Sequence, residues 1–278
     1  MENIINKKFK INETIGNGKF GIVYKGQNLR TKEIVAIKTE NNSLYKLLKR
    51  EAIILDHLSR AKVKKIPSVY WYGRYNELTC LIMTFFQHDL MSYVEIKKPE
   101  KEKIRLLIVK CIDVLENIHS KSIIHRDIKP QNFMIKDGDI FLIDFGLALF
   151  YKDENDLHVV HKDENSIVGT PKYTSFFNHN GEPQSRRDDL ISLGYMYLFL
   201  TSGSLPWDYV QQFEYKTDIP EISLNHPRNI LRREKKEFNF IGEHCDNNLL
   251  NYLDYCYSLN YDSDPDYDKL ISFLHSFR

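Results

Sequence analysis

The sequence predicts an α+β fold with a small β-rich first lobe and a larger, mainly helical second lobe. Short β-branched or alternating segments, separated by turn residues, occupy roughly the first 85 residues. Apolar residues then recur at helical spacing through most of the remaining chain. The 278 residues suffice for one such domain with a sizeable core. We therefore expect one domain over 1–278, with the first lobe at about 1–85, a hinge at about 84–90 and the second lobe at about 90–278.

The first lobe should begin with three strands, at residues 11–15, 21–28 and 33–39. A helix should follow, because apolar residues and one glutamate recur at i, i+3, i+4 and i+7. That helix face consists of Leu44, Leu47, Leu48, Glu51, Ile54, Leu55 and Leu58. A fourth strand at residues 79–86 leads into the hinge.

The second lobe should be mostly helical. One apolar stripe at helical spacing consists of Ile104, Leu107, Ile108, Cys111, Ile112, Leu115 and Ile118. The stripe makes Cys111 a core residue rather than a reactive one. Residues 188–200 are apolar enough for a buried helix, whereas residues 208–225 are acidic and loop-like.

Charge and composition exclude several classes of protein. The formal net charge is +1, so no global field attracts the chain to nucleic acid or to a membrane. The four cysteines have no zinc spacing and suit a reducing compartment. The longest apolar stretch, at residues 193–200, is too short to span a bilayer. We expect a soluble intracellular monomer that binds neither nucleic acid nor membrane.

A glycine-rich segment lies between the first two predicted strands. Gly16, Gly18 and Gly21 form a Gly-x-Gly-x-x-Gly pattern. A Rossmann dinucleotide site would need these glycines to open a helix, and a Walker loop would need a Gly-Lys-Ser/Thr sequence. A glycine-rich hairpin instead lets backbone N–H groups approach phosphates closely. A plain hairpin with no ligand is the alternative.

The third predicted strand ends in Val-Ala-Ile-Lys, which strengthens the nucleotide interpretation. The strand period of two puts Ala36 and Lys38 on one face. Alanine leaves room for an adenine ring, and the ammonium of Lys38 can reach phosphates. Glu51 lies on the inward face of its helix, where an unpaired carboxylate would be costly, so it is the expected partner of Lys38. The alternative is a solvated strand lysine.

Three apolar residues complete the expected ATP-binding set. Val23 would cover the adenine, Met83 would stand at the back of its pocket, and Ile15 precedes the first glycine. Contacts from the hinge to adenine should come from the backbone, so the side chains there are weakly constrained.

The segment HRDIKPQN, at residues 125–132, is the most specific in the chain. Asp127 would accept or orient a substrate hydroxyl, Lys129 would hold the transferring phosphate, and Asn132 would bind Mg²⁺. Asp144 follows an apolar strand at residues 140–143 and would bind the same metal, which prefers oxygen ligands. A buried structural turn is the alternative, but it does not explain these three residue types at these offsets. His125 should pack the loop.

In this order, the segments resemble those of protein kinases and predict transfer of the γ-phosphoryl group of ATP to a hydroxyl. Thr170 resembles the threonine that Ser/Thr kinases hydrogen-bond to the catalytic aspartate and lysine. Asp189 resembles the buried helix aspartate that anchors the catalytic loop. Lys129 also suits a Ser/Thr kinase.

Further segments are similar to the casein kinase 1 family over nearly the whole chain. They are HRDIKPQNFM (125–134), IDFGLA (143–148), QSRRDDLISLGY (184–195), GSLPW (203–207), YCYSL (255–259) and PDY (265–267). The family usually has glutamate at position 131, where this chain has Gln131. Residues 176–177 and the long acidic stretch at 208–225 also depart from the family pattern and flank the expected substrate groove.

The resemblance implies protein substrates that are acidic, or already phosphorylated, upstream of the target Ser/Thr. Lys172 occupies the position of a family arginine that binds the substrate anion. Arg232 and Lys235, in a basic run at 232–236, lie where the family supplies its other cations. The alternatives are a solvated loop lysine for Lys172 and a solvated helix face for the run.

The resemblance also implies constitutive activity, because the family usually needs no phosphorylation of the activation loop. No long tail follows residues 275–278, so we do not expect the inhibitory extension of some members, and the lack of a terminal cysteine pair counts against the membrane-anchored branch. Comparable relatives act in the nucleus and cytoplasm, in processes that include DNA repair and trafficking. A nucleotide-binding pseudokinase scaffold and a small-molecule phosphotransferase are the competing hypotheses. The intact Lys38, Glu51, Asp127, Asn132 and Asp144 count against the first, and the 192–207 and 265–267 signatures count against the second.

Overall fold

The structure, a computed structural model, is described over residues 4–18, 21–41, 46–159 and 165–275. Leu44, which was expected on the helix face of the first lobe, lies outside these residues. The chain forms two compact units. Their segments are Met1–His88 with Met134–Ala148 for the first unit, and Asp89–Phe133 with Leu149–Arg278 for the second. The predicted α+β class, with a β-rich and a mainly helical part, is confirmed. The sequence did not indicate that residues 134–148 belong with the first unit.

The first unit is built on a six-stranded antiparallel sheet. Its strands are β1 (Ile4–Ile5), β2 (Phe9–Gly18), β3 (Gly21–Asn28), β4 (Ile34–Asn41), β5 (Val69–Tyr75) and β6 (Leu78–Thr84). They lie in the spatial order β1-β2-β3-β4-β6-β5. All four strands predicted from the sequence are present, with ends that differ by a few residues.

The two faces of β4 have different roles because successive side chains point to opposite sides of a strand. Val35 and Ile37 are fully buried and pack in a core cluster with Cys80 and Ile82 of β6. The alternate residues of the strand, among them Lys38, lie on the other, half-buried face. The apolar core on one side thus leaves the opposite face for polar chemistry.

Helix α1 (Leu47–Arg60) buries the face that the periodicity predicted. Its buried residues are Leu48, Glu51, Ile54, Leu55 and Leu58. The helix packs against a 3-10 turn at Phe145–Leu147, in the second segment of the first unit. Strands β9 (Phe133–Lys136) and β10 (Asp139–Leu142) precede that turn, joined by a tight connection in which Gly138 has a φ of 79°. Only residues that tolerate positive φ suit such a turn.

The second unit is mainly helical. Its helices are α2 (Leu90–Lys97), α3 (Lys101–His119), α4 (Phe176–His179), α5 (Arg186–Ser202), α6 (Pro227–Lys235), α7 (Phe238–Gly242), α8 (Asn247–Ser258) and α9 (Tyr267–Leu274). Short strands occur at β7 (His88–Asp89), β8 (Ile123–Ile124) and β11 (Leu149–Phe150), and 3-10 turns at Pro130–Asn132 and Asp208–Gln212. Residues 208–225 contain turns but no α-helix or extended strand, as the predicted loop requires.

Helices α3 and α5 form the centre of this unit, and they pack against each other. The predicted stripe of α3 is buried, and Cys111 has no exposed surface, as expected for a core thiol. Helix α5 is buried along almost its whole length, which confirms the buried helix predicted at 188–200. The backbone N–H of Ser185 donates to Asp188 at 2.7 Å, which caps the start of α5. Among the described helices, none has the length and hydrophobicity needed to cross a membrane.

Substitution of two neighbouring isoleucines of α1 tests which face of the helix packs against the core. Ile54 is 1% exposed, whereas Ile53 is 52% exposed. Replacing Ile54 by alanine should lower the free energy of unfolding by about 2–5 kcal/mol, because it leaves a cavity. Ile53→Ala removes the same atoms from the surface and should change stability by no more than about 0.5 kcal/mol. Urea denaturation of both variants measures the difference, and equal losses would contradict this placement of α1.

Candidate active site

The glycine-rich hairpin joins β2 and β3, with Gly18 opposite Gly21 and Gly16 opposite Val23. A Cβ atom at Gly21 would lie 1.8 Å from the carbonyl oxygen of Thr39, so only glycine fits there. A Cβ atom at Gly16 would meet nothing closer than Val23 at 3.7 Å. The sheet's own packing therefore explains Gly21 but not Gly16, whose open backbone is suited to close approach by a ligand.

The register of the sheet aligns the apolar residues expected around adenine. Val23 is paired with Lys38, and Ala36 is paired with Met83, so both pairs share a face of the antiparallel ladder. Met83 is 2% exposed, and Ile15 is 46% exposed. The structure therefore places Val23, Ala36 and Met83 beside Lys38 on adjacent strands. The roles of these residues toward adenine stay predictions.

Lys38 lies between two carboxylates. Its Nζ is 2.8 Å and 3.0 Å from the two carboxylate oxygens of Glu51. The same nitrogen is 2.8 Å from Oδ1 of Asp144. The expected Lys38–Glu51 pair is confirmed, and the solvated-lysine alternative is wrong because the side chain is 16% exposed. The contact with Asp144 was not anticipated from the sequence.

The two carboxylates keep Lys38 charged. Burial alone would lower the pKa of Lys38, but the charges of Asp144 and Glu51 outweigh it and raise that pKa. Burial raises the pKa of Glu51, while Lys38 and the backbone N–H of Phe145 lower it. Because the ammonium contacts both Glu51 oxygens, we take this carboxylate as ionised. Each buried charge thus has a partner, as burial requires.

Asp144 has an unusual backbone conformation. Its φ is 70°, in the left-handed region, and the 3-10 turn at Phe145–Leu147 starts directly after it. A non-glycine residue in this region is uncommon and costs about 1–3 kcal/mol, so such residues cluster at functional sites. The Asp144 side chain is 45% exposed although one oxygen binds Lys38. Its carboxylate can therefore still reach a cation from solvent.

The second unit contains a separate group of polar side chains around Asp127. Thr170 Oγ1 donates to Asp127 Oδ1 at 2.7 Å. Lys129 Nζ donates to Asp127 Oδ2 at 2.6 Å and to Thr170 Oγ1 at 3.1 Å. The three-way contact that the family resemblance implied is confirmed. Gly169 makes it possible, because its φ is 91° and a Cβ atom there would lie 2.4 Å from the carbonyl oxygen of Arg126.

Asn132 completes this group. It is 4% exposed, and its Nδ2 donates to the backbone oxygen of Asp127 at 2.8 Å and to Asp127 Oδ2 at 3.2 Å. An amide binds metal through its oxygen, and the two hydrogen bonds engage only the nitrogen. Asn132 and Asp144 therefore offer the amide and carboxylate oxygens that suit Mg²⁺. Asn132 belongs to the second unit and Asp144 to the first.

Buried Asp189 holds the backbone of the loop that carries Asp127. It accepts the N–H groups of His125 at 2.7 Å and Arg126 at 2.8 Å. His119 Nε2 lies 3.0 Å from the same carboxylate. Burial opposes ionisation, but hydrogen bonds from His119 and the loop lower the pKa of Asp189. The anchoring role expected for Asp189 is confirmed.

Two histidines support the same loop. His125 has no exposed surface, and its Nδ1 lies 3.3 Å from the backbone nitrogen of Asp127, which fits the packing role expected for it. His119 contacts both Asp189 and the hydroxyl of Tyr267, with Nδ1 2.7 Å from that oxygen. The sequence analysis missed His119, because its position at the end of the α3 stripe did not distinguish it from an ordinary core residue.

The three residues expected at the substrate anion site lie in different surroundings. Lys172 Nζ is 2.8 Å from Asp208 Oδ2 and 3.8 Å from the ring centroid of Phe199. Lys235 Nζ lies 4.0 Å from the ring centroid of Phe240. Arg232 is 2% exposed and donates to Asn229 Oδ1 at 2.8 Å. The partner of Lys172, Asp208, was not anticipated.

The solvated-face alternative for the basic run at 232–236 is wrong for two of its members. Arg232 is buried, and Lys236 has no exposed surface. Lys236 Nζ donates to the backbone oxygens of Pro171, at 2.9 Å, and Thr174. Burial lowers the pKa of Lys236 well below its usual value. No periodic pattern could reveal this, because both contacts come from a segment more than sixty residues away in the chain.

The Lys38–Glu51 pair can be tested through stability. Lys38→Met leaves Glu51 buried without its partner and should lower the free energy of unfolding by about 3–5 kcal/mol. Adding Glu51→Leu should restore much of that loss, because it removes the uncompensated charge. Lys25 is the matched control, since it lies on the same sheet with Nζ 3.1 Å from Glu13 in an exposed ion pair.

Urea denaturation of the wild-type protein and the three variants measures these effects. Lys25→Met should change stability by less than about 1 kcal/mol, as for other surface pairs. Equal losses for Lys25→Met and Lys38→Met, or no recovery in the double variant, would contradict the buried pair.

A comparison with known protein families identifies the domain to which most of the chain belongs. Residues 9–268 match the family model described as the protein kinase domain. The match includes the glycine-rich hairpin, the lysine and glutamate pair, the loop with Asp127, and Asp144. It covers all but the first eight and last ten residues of the chain.

Proposed function

The chain belongs to the protein kinase family, and on that premise we propose that it is an active serine/threonine protein kinase of casein kinase 1 type. Members of the family transfer a phosphoryl group from ATP, usually with Mg²⁺. The acceptors proposed here are Ser and Thr hydroxyls of proteins. The proposed substrates carry acidic or phosphorylated residues upstream of the target.

One observation carries this proposal: Asp127, Lys129 and Thr170 form a closed set of hydrogen bonds. Asp127 accepts from Lys129 at 2.6 Å and from Thr170 at 2.7 Å, and Lys129 also reaches Thr170 at 3.1 Å. Such a set orients the aspartate before substrate arrives. Preorganised charge of this kind is the main source of catalysis in phosphoryl transfer. A threonine in this position supports Ser/Thr rather than Tyr specificity.

The roles of the side chains follow from their chemistry. Asp127 would orient the acceptor hydroxyl and receive its proton. Lys129 would balance negative charge on the transferring phosphoryl group. The ammonium of Lys38, fixed by Glu51, would position the phosphates of ATP, and the open backbone at Gly16 would approach them.

Two residues, one in each unit, are the proposed magnesium ligands because of their chemistry. Asp144 offers a partly exposed carboxylate, and Asn132 offers the amide oxygen that its two hydrogen bonds leave uninvolved. Each is an oxygen ligand of the type that Mg²⁺ prefers, and this ion needs few ligands from protein. When bound, the ion would neutralise charge on the phosphates of ATP.

A nucleotide-binding scaffold without activity is not favoured. A pseudokinase would be expected to lack at least one of the residues that position ATP, metal or acceptor. Lys38 is paired with Glu51, and Asp127 is oriented within its own unit. Each unit thus contains the residue types expected of it, held by hydrogen bonds, which supports an active enzyme.

The casein kinase 1 type is supported by the family-like segments, whose residues make specific hydrogen bonds in this chain. Ser185 and Asp188 cap α5, and Asp189 anchors the loop of Asp127. Trp207 Nε1 donates to the backbone oxygen of Lys172 at 2.8 Å. By the same resemblance we propose a monomer acting in the nucleus or cytoplasm, with DNA repair or trafficking as candidate processes. Membrane and nucleic acid are not among the proposed partners.

The first test is transfer from labelled ATP with Mg²⁺ to dephosphorylated casein. Asp127→Asn should lower turnover by about 10²–10⁴-fold, because the hydroxyl loses its proton acceptor. ATP affinity should be unchanged, since Asp127 does not bind the nucleotide. Asp137→Asn, an exposed aspartate with the same change of charge, is the control and should keep full activity.

Each other outcome has a meaning. Near-normal turnover in Asp127→Asn would overturn the assignment of this residue. Wild-type protein that binds ATP but transfers nothing would establish the scaffold instead. Phosphotyrosine as the product would contradict Ser/Thr specificity, which phosphoamino acid analysis of the casein would reveal.

Thr170 provides a second prediction. Thr170→Val removes the hydroxyl that bridges Asp127 and Lys129 while keeping the shape of the side chain. Turnover should fall about 10- to 100-fold, the value of a hydrogen bond to a charged group. Thr170→Ser keeps the hydroxyl and should retain most of the activity. Measuring kcat of both variants tests this prediction. An equal loss of kcat in Thr170→Ser and Thr170→Val would show that the packing of the side chain matters and its hydroxyl does not.

A further inference from the structure

The segment that carries Lys172 is attached to the second unit at several points. Trp207 Nε1 donates to the carbonyl oxygen of Lys172 at 2.8 Å. Lys236 Nζ donates to the carbonyl oxygens of Pro171, at 2.9 Å, and Thr174. The backbone around Lys172 is therefore held on both sides.

Asp208 occupies the place where an anion would meet Lys172. Its Oδ2 lies 2.8 Å from Lys172 Nζ and accepts the backbone N–H of Leu205 at 2.8 Å. The backbone N–H of Asp208 in turn donates to the Leu205 carbonyl oxygen at 2.9 Å. The carboxylate is thus fixed by its own turn, independently of the ion pair.

The 3-10 turn that begins at Asp208 packs against α6, the helix that carries most of the basic run. Burial lowers the pKa of Arg232 and of Lys236, and the negative charge of Asp208 acts in the opposite direction on both. Glu221 acts on Arg232 in the same way as Asp208. Asp208 is therefore the acidic residue common to Lys172, Arg232 and Lys236, which include two of the three cations expected to bind the substrate anion.

The contact between Lys172 and Asp208 is accessible and weak enough for an incoming anion to replace Asp208. The two side chains are 29% and 28% exposed, so a peptide can reach them. Ion pairs with this exposure are weak, because water screens them and holding the side chains costs entropy. The pair therefore acts as a competitor for an incoming anion rather than as a permanent block.

We propose that Asp208 is an internal anion that competes with the substrate for Lys172, so that the enzyme accepts a phosphorylated residue upstream of the target but gains little from an acidic one. This proposal rests on the proposed kinase function and narrows its substrate class. A substrate carboxylate would only exchange the single charge of Asp208 for another single charge. Asp208 has the advantage in this competition because it is part of the same chain and already lies beside Lys172. A phosphate carries about −1.5 to −2 charges at pH 7 and three acceptor oxygens, so it can displace Asp208.

The test compares three peptides that differ only at one position upstream of the target serine: phosphoserine, glutamate or alanine. The proteins are wild type, Asp208→Asn and Asp218→Asn. The amide of Asp208→Asn can still accept the Leu205 N–H, so only the charge is removed. Asp218 is an exposed aspartate of the same acidic stretch and gives the same change of net charge.

In wild type, kcat/KM should be highest for the phosphoserine peptide and about equal for the other two. In Asp208→Asn, the ratio of glutamate to alanine peptide should rise about two- to fivefold, the range of a partly exposed ion pair. Asp218→Asn should leave all ratios at their wild-type values.

Three results would overturn the proposal. A wild-type enzyme that already favours the glutamate peptide over the alanine peptide has no internal competitor. An Asp208→Asn enzyme whose rates change by the same factor on all peptides has lost only a structural contact. The same ratio change in Asp218→Asn would make the effect one of net charge and would also overturn it.

Peptide binding, measured by fluorescence anisotropy, separates this inference from the proposed function. The three peptides should bind the three proteins in the same order of preference as in the rate measurements. If that order is found but no protein transfers phosphate, the kinase proposal fails while the competition at Lys172 stands. If transfer occurs but Asp208→Asn does not strengthen binding of the glutamate peptide, the kinase proposal stands and the inference fails.

Discussion

The buried carboxylate of Asp189 is the interaction on which the organisation of the second unit depends. It accepts two consecutive backbone N–H groups, from His125 and Arg126, in a position that is 2% exposed. Without it, both backbone donors would lose this acceptor, which costs about 1–3 kcal/mol for a buried group. The bonds also hold Arg126 at a φ of 69°, a left-handed conformation that is unfavourable for a residue with a side chain and persists only when its surroundings hold it. Asp127 comes next in the chain, so its orientation is inherited from a helix residue more than sixty positions away.

The same principle, a charged group fixed before any ligand arrives, recurs in the first unit. Lys38 is held by Glu51 from α1 and by Asp144 from the segment after β10. The cost of burying Lys38 and Glu51 is offset by the attraction between their opposite charges. Both units thus contain preformed charges whose stability and proposed chemistry are coupled. This coupling explains why a single substitution at Lys38 is expected to affect folding as well as phosphate binding.

Local rules explain why much of the fold could be predicted from the sequence. The alternation in β4 and the stripe on α1 depend on residues a few positions apart, and both were located correctly. The segment with Asp127 was recognisable because its residue types recur at fixed offsets. The contact of Lys38 with Asp144, the burial of Arg232 and Lys236, and the Lys172–Asp208 pair were not predicted. Each joins parts of the chain that no local period relates.

The sequence by itself determined the α+β class, the main helices and strands, and the residue types that a kinase needs. It could do so because hydrophobic period and motif spacing are properties of neighbouring residues. Only the tertiary structure decided which charges are paired. The energy of a lysine depends on what surrounds it, and Lys172, Lys235 and Lys236 have three different surroundings: a carboxylate, an aromatic ring and two backbone carbonyls. Burial and partner, which set the charge and reach of each side chain, arise from contacts over long separations in the chain.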